Sequence, residues 1–191
     1  MAAQNDASYN GLSYAAWGYF FLNFDFKLGT VTILPNFVGF LLFLSAISLL
    51  SKERRELTLL RPLCALLAVW NIIGWPLSWY GVELSGRFLF LDLLVAAAEL
   101  YFHFQFLTDM AALAEQYQPR NVELDRQIRC RRAVYVVLIT AVTLYMPHVK
   151  ELPSFLGVVM ILVLIILAIV SFMIMWALFR LRRYYREGGY N

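Results

Sequence analysis

The stretch "FLFLDLLVAAAELYFHFQF" (residues 88–106) decides how this chain is read. It is apolar enough to cross a bilayer as a helix, yet it carries Asp92, Glu99 and His103. At about 100° per residue these three fall within roughly 40° of one another, with Ala96 on the same face. Gln105 and Asp109 point elsewhere, and Asp109 is expected near water at the end of the segment. With Phe88 at the hydrocarbon boundary, Asp92 lies about 6 Å deep, Glu99 about 16 Å and His103 about 22 Å. An acid at the bilayer centre costs at least about 2.5–3.5 kcal/mol against lipid, so Glu99 is expected to face the bundle interior or a polar cavity.

Composition supports the membrane reading of this helix. The chain is 61% hydrophobic and 15% charged over 191 residues, where a soluble domain has roughly 45–50% and about 25%. Six hydrophobic segments can be marked, at residues 8–25, 35–50, 57–80, 88–109, 133–149 and 154–181. They predict an all-α integral membrane protein, a six-helix transmembrane bundle forming a single domain over residues 1–191. The first two segments are short, at roughly 24–27 Å of helix against a core of about 30 Å, so a re-entrant hairpin is the alternative to two full spans. No cleavable signal peptide is read at the start.

Basic residues set the expected orientation. Lys52, Arg54, Arg55 and Arg61 follow the second segment, and Arg120, Arg126, Arg129, Arg131 and Arg132 the fourth. Arg180, Arg182, Arg183 and Arg186 follow the sixth, against Lys27, Arg87 and Lys150 on the other side. The bias predicts a multi-pass protein of the cell membrane with N- and C-termini cytoplasmic. Trp75, Trp79 and Tyr80 then fall at the outer interface. The string "RQIRCRR" reads as an ordinary positive-inside loop, and no nucleic-acid partner is expected. Cys64 and Cys130 form no C-x-x-C, and no disulfide is expected.

The polar stripe on the fourth segment has candidate partners elsewhere. Asn71 precedes Pro76, which frees a carbonyl and kinks the third segment. Asn23, Asp25 and Asn36 flank the first connection, "KLGTVTILP", which is expected to fold over the bundle near Trp75 or Trp79. Segments one to four thus carry nearly all the intramembrane polarity, and the sixth reads as a lipid-facing or packing helix. Glu99, His103, Asp92, Asn71, Asn23, Asp25 and Asn36 are the candidate solute- or proton-binding residues.

Two acids and one histidine on one helix define no particular metal, and no cofactor is specified. Haem fits poorly, because His148 falls on the opposite side from His103. No phosphate-binding glycine loop, H-E-x-x-H or G-x-S-x-G is present. Three function classes stay open. The first is binding or transport of a small cationic or polar solute, or of protons. The second is a non-catalytic partner or sensor subunit, or a homo-oligomer, packing through faces such as Ala96 to Ala98. The third is an intramembrane metal-dependent enzyme.

The stretch "LNFDFKLGTVTILPNFVGFLLF" (residues 22–43) resembles a segment of small bacterial polytopic membrane proteins that share an I-L-P-[DN]-F-[IV]-G pattern. That resemblance implies a bacterial origin and no activity. In size, helix number and cytoplasmic termini the chain also loosely resembles the substrate-binding components of energy-coupling-factor vitamin transporters. In that family the first connection caps a buried ligand.

Overall fold

The computed structural model describes residues 2–23, 27–28, 31–32, 35–79, 89–119, 121–145 and 154–188. These residues form six helices: α1 (Ala2–Asn23), α2 (Asn36–Leu50), α3 (Leu57–Trp79), α4 (Leu89–Tyr117), α5 (Leu124–Tyr145) and α6 (Ser154–Gly188). Between α1 and α2, β1 (Lys27–Leu28) and β2 (Val31–Thr32) form a minimal antiparallel ladder, Lys27 opposite Thr32 and Leu28 opposite Val31. Each helix packs beside the next in sequence, and α6 closes the ring against α1. Asp25, Tyr80, His148 and Lys150 lie outside the described residues.

Among the described residues, three helices are long and apolar enough to cross a membrane: Leu57–Leu77, Phe90–Tyr117 and Phe155–Arg186. α6 shows why most plainly. Phe155, Val158, Ile161, Leu162, Ile165, Ile169, Phe172 and Trp176 are all exposed, over a length of about 32 Å at 1.5 Å per residue. That length matches a hydrocarbon core of about 30 Å, and it ends on Trp176 just before Arg180.

α1 and α2 lie unusually close, and glycines make this possible. A Cβ on Gly39 would stand 2.7 Å from Leu22 Cγ and 3.1 Å from the Gly18 carbonyl oxygen. One on Gly18 would meet the Phe43 ring at 3.1 Å, and one on Gly11 would meet Leu50 Cγ at 2.9 Å. In a lipid solvent, where burying apolar surface gains little, such close backbone packing is what holds helices together. Behind this seam sits an aromatic core. Phe43 meets Phe106 at 4.9 Å, Phe102 at 5.2 Å and Tyr19 at 5.2 Å between ring centroids.

The start of α1, the α2–α3 turn, the end of α4 and the end of α6 meet at one end of the bundle, the basic end. Glu53 ties them together there. Its carboxylate accepts hydrogen bonds from Ser8 Oγ (3.3 Å), Tyr117 Oη (2.8 Å) and Tyr185 Oη (3.0 Å). At the other end, β2 and the first turn of α2 meet α3, and most of the rest of the connection expected to fold over the bundle lies outside the described residues. The Phe37 ring stands 5.6 Å edge-on from Trp75, and β2 packs against α3.

Two helices run further at the basic end than the hydrophobic segments alone suggest. α4 continues to Tyr117, where the sequence pattern stops at residue 109, and α5 begins at Leu124 rather than at residue 133. Both extensions, "AALAEQY" and "LDRQIRCRR", are made of strong helix formers, which hydropathy does not register. The basic string is therefore helix, not loop. Ile128 is buried, Arg131 donates to the Met173 carbonyl at 2.7 Å, and the Arg132 guanidinium stands 4.3 Å over the Phe104 ring.

Gln118 sets the α4–α5 turn. Its Oε1 accepts from the Leu124 and Asp125 backbone N–H groups at 2.6 and 3.1 Å, capping α5. Its Nε2 donates to Asp125 Oδ1 at 2.8 Å. This bond, with backbone N–H groups and Arg129 adding to it, holds the Asp125 carboxyl below its usual range. A depressed carboxyl contributes stability above its ordinary pKa, and the contribution is lost as pH falls through the lowered one. Gln118→Ala is expected to cost about 0.5–2 kcal/mol in denaturant melts at neutral pH. The cost should shrink in acid once Asp125 is protonated, and a pH-independent cost would contradict this account.

Candidate functional site

Inside the ring, between α1, α2, α4, α5 and α6, lies a cavity of about 400 Å³. It sits in the half of the bundle that carries the α1–α2 connection, and exposed Leu93 and Leu144 stand at its edge. Its polar lining is Asn23, Asn36, Glu99, His103, Tyr135, Thr140 and Thr143. Phe40, Leu22, Ala96, Leu100, Ile139 and Leu167 supply the apolar wall.

α4 supplies the carboxylate because Ala96, Glu99, Leu100 and His103 share the inward face at helical spacing. Asn71 reaches this carboxylate from α3. Its Nδ2 donates to the Leu67 carbonyl within α3 (2.9 Å), and the same amide interacts with Glu99, which is the contact that links α3 to α4. His103 does not pair with Glu99. It is buried one turn deeper, with Nδ1 3.3 Å from Tyr19 Oη and its ring centroid 5.4 Å from that of Tyr135.

The asparagines differ in how they are held. Asn23 is pinned on both sides, donating to the Tyr19 carbonyl at 2.9 Å and accepting from Ser171 Oγ at 2.8 Å. Asn36, in the first turn of α2, keeps a buried Oδ1 with no partner among the described residues. A buried acceptor left this way costs about 1–3 kcal/mol, and a donor on a bound solute would recover it. Thr140 and Thr143 donate back to the Val136 and Ile139 carbonyls at 2.7 and 2.9 Å, which leaves their oxygen lone pairs available.

Of the residues singled out from sequence, Asn23, Asn36, Glu99 and His103 come together in this cavity, and Asn71 contacts Glu99. Asp92 shares their stripe but does not line the cavity, although its neighbour Leu93 does. Asp25 lies outside the described residues.

Two expectations need correction. Polarity is not confined to the first four segments: α5 contributes Tyr135, Thr140 and Thr143, and Ser171 of α6 fixes Asn23. Tyr135, Ile139 and Thr143 recur at a spacing of four, a signal that mild polarity leaves easy to pass over. Asp109 does lie towards the basic end, beside the Arg54–Glu56 turn, but its side chain is not exposed to water there. It is buried, with Gln105 Nε2 at 3.5 Å from Oδ1 and the charges of Glu56 and Arg54 close by.

The described residues contain no cluster of three or more His, Cys, Asp or Glu side chains able to hold a metal ion. Cys64 and Cys130 are both free thiols. No protein-family model, curated protein or solved structure matches this chain. The site's chemistry must therefore be read from its own groups. One carboxylate, two amides, three hydroxyls and an imidazole converge on a largely apolar chamber. Such a chamber suits a small solute that presents a positive charge or several N–H donors at one end and an apolar body at the other.

Proposed function

We propose that this chain is a multi-pass membrane protein that binds, and in the membrane transports, a small cationic or polar solute in the chamber around Glu99. The observation that carries the reading is the placement of Glu99 on the wall of an open cavity rather than in a filled core. A carboxylate that served only to lock packing would need no space beside it. The volume of about 400 Å³ falls within the roughly 300–1,000 Å³ of ordinary ligand pockets. Glu99 holds the charged end, the unpartnered Asn36 oxygen accepts a second hydrogen bond, and Tyr135 and Phe40 flank the body of the solute. His103 and Tyr19 close the floor.

Titration calorimetry of the purified protein tests this reading. Choline, methylammonium and putrescine are compared with uncharged isosteres such as 3,3-dimethylbutanol. Saturable binding of at least one cation, and none of its isostere, is expected. Uniform silence across the panel, or equal binding of the neutral isosteres, would sink the reading.

The same proposal includes six spans, with both termini and the basic end in the cytoplasm. Its support is the thirteen-to-three partition of basic residues and the antiparallel run of α1 and α2 along each other, from Gly11 against Leu50 to Gly39 against Leu22. α2 at 15 residues is short, and local bilayer thinning accommodates it. In a Cys130→Ser background, Glu83→Cys and Lys150→Cys should react with an impermeant thiol reagent from outside the cell. Glu56→Cys should react only after permeabilisation, and the reverse pattern would invert the topology.

A further inference from the structure

At the basic end, the seam between α1 and α6 opens into a groove of about 480 Å³ lined by Tyr9, Trp176, Arg180, Arg182, Arg183 and Arg186. Among the described residues, none of these four arginines has a carboxylate partner; the ion pairs present involve Arg54, Arg126 and Arg129. Arg182 is positioned rather than free. It donates to Ser13 Oγ at 3.0 Å, and its guanidinium lies 4.8 Å from the Tyr9 ring centroid and 5.1 Å from that of Phe179. Arg180 donates to Tyr184 Oη at 3.2 Å, and Arg186 stands 5.9 Å from the Tyr9 ring. Planar guanidinium groups held by aromatic faces, with N–H donors to spare, suit the oxygens of a phosphate.

The surface leading to the groove is apolar. Ile165, Ile169, Phe172 and Trp176 are exposed, and with Arg183 they share one face of α6 within about 60° at 100° per residue. A continuous apolar strip therefore runs along the helix, passes an indole at the interface and ends on the arginines. A free phosphate would use only the last part of this surface. A phospholipid would use all of it, acyl chains along the strip and headgroup in the groove.

We infer that the groove between α1 and α6 is a headgroup site for an anionic glycerophospholipid. The site is separate from the cavity around Glu99 and shares with that proposal only the membrane reading, so either can fail alone. Bound lipid would clamp the first helix to the last at the end where Glu53 also joins them.

Native mass spectrometry of the full chain in a neutral detergent tests the inference, with phosphatidylglycerol, phosphatidylcholine and inorganic phosphate as the three probes. Phosphatidylglycerol should be retained about tenfold or more tightly than phosphatidylcholine. Arg183→Gln with Arg186→Gln should weaken it about tenfold or more, whereas Arg55→Gln with Arg61→Gln, also exposed and basic, should change it less than about twofold. Arg183→Lys with Arg186→Lys keeps the charge but not the planar fork and should fall between the parent and the glutamine pair, with an unchanged melting temperature in both pairs separating headgroup binding from damage to the fold. Equal loss in the Arg55/Arg61 pair would reduce the effect to diffuse charge and overturn the site. Inorganic phosphate competing at the same concentration as phosphatidylglycerol would assign the groove to a soluble anion instead.

Discussion

Glu99→Gln should fold like the parent and lose binding of a cationic solute by about 10- to 100-fold. The estimate comes from a charge-assisted hydrogen bond worth about 1.5–3 kcal/mol, at about 1.4 kcal/mol per tenfold. Glutamine keeps the length and the oxygen that faces Asn71, so the α3–α4 contact survives. The charge alone is removed, and a carboxylate inside a bundle is expensive to hold, so the melting temperature should stay level or rise. Asn71→Ala provides the complementary case. It leaves the charge but frees the carboxylate, and should weaken binding less while destabilising the bundle more. Were Glu99 only a packing lock, the pattern would reverse: Glu99→Gln would melt earlier and bind as before.

Gly39→Val should destabilise the bundle by about 1–3 kcal/mol, the usual cost of forcing extra atoms into a packed interface. The new Cβ would fall 2.7 Å from Leu22 Cγ and 3.1 Å from a backbone oxygen of α1. Leu22 can shift; the Gly18 carbonyl belongs to a helix backbone and cannot without moving α1. Because Leu22, Asn23, Asn36 and Phe40 all line the cavity, separation of α1 from α2 should weaken solute binding as well. Gly157 is the control: a Cβ there meets nothing within 4 Å, so Gly157→Ala should leave thermal unfolding unchanged or slightly later. Equal effects at the two positions would contradict the close-packed seam.

How much of this was legible in the chain depended on what each feature costs in a membrane. Glu99 could be placed from sequence because a buried carboxylate is too costly to face lipid, which leaves only inward-facing positions. Asn23, Asn36 and Asn71 stood out for a weaker form of the same reason. Tyr135, Thr140 and Thr143 did not. A threonine satisfies itself on the preceding turn, as both do here, so its presence in a span implies nothing about where it faces. The role of Gly11, Gly18 and Gly39 was equally hidden, because a helical glycine reads as a weak helix former unless its partner helix is known. The ends of α4 and α5 were misplaced because charged helix formers serve water-exposed helix and loop alike. Asp109 was assigned to water by its position along the segment, but the Arg54–Glu56 turn folds over it.

The central claim is that the chamber beside Glu99 holds water and solute rather than lipid or packed side chains. Thr143→Cys, in a Cys130→Ser background, places a thiol on the cavity wall. Ile161→Cys places one on the exposed apolar face of α6. The measurement is the rate of reaction of each with an impermeant, positively charged methanethiosulfonate added outside intact cells. Thr143→Cys should react readily, and more slowly when a cationic solute occupies the chamber; changing Glu99 to Gln as well should abolish that protection by the solute. Ile161→Cys, surrounded by lipid, should stay inert. A thiol at position 143 as unreactive as the one at 161 would show the cavity closed to water and contradict the account.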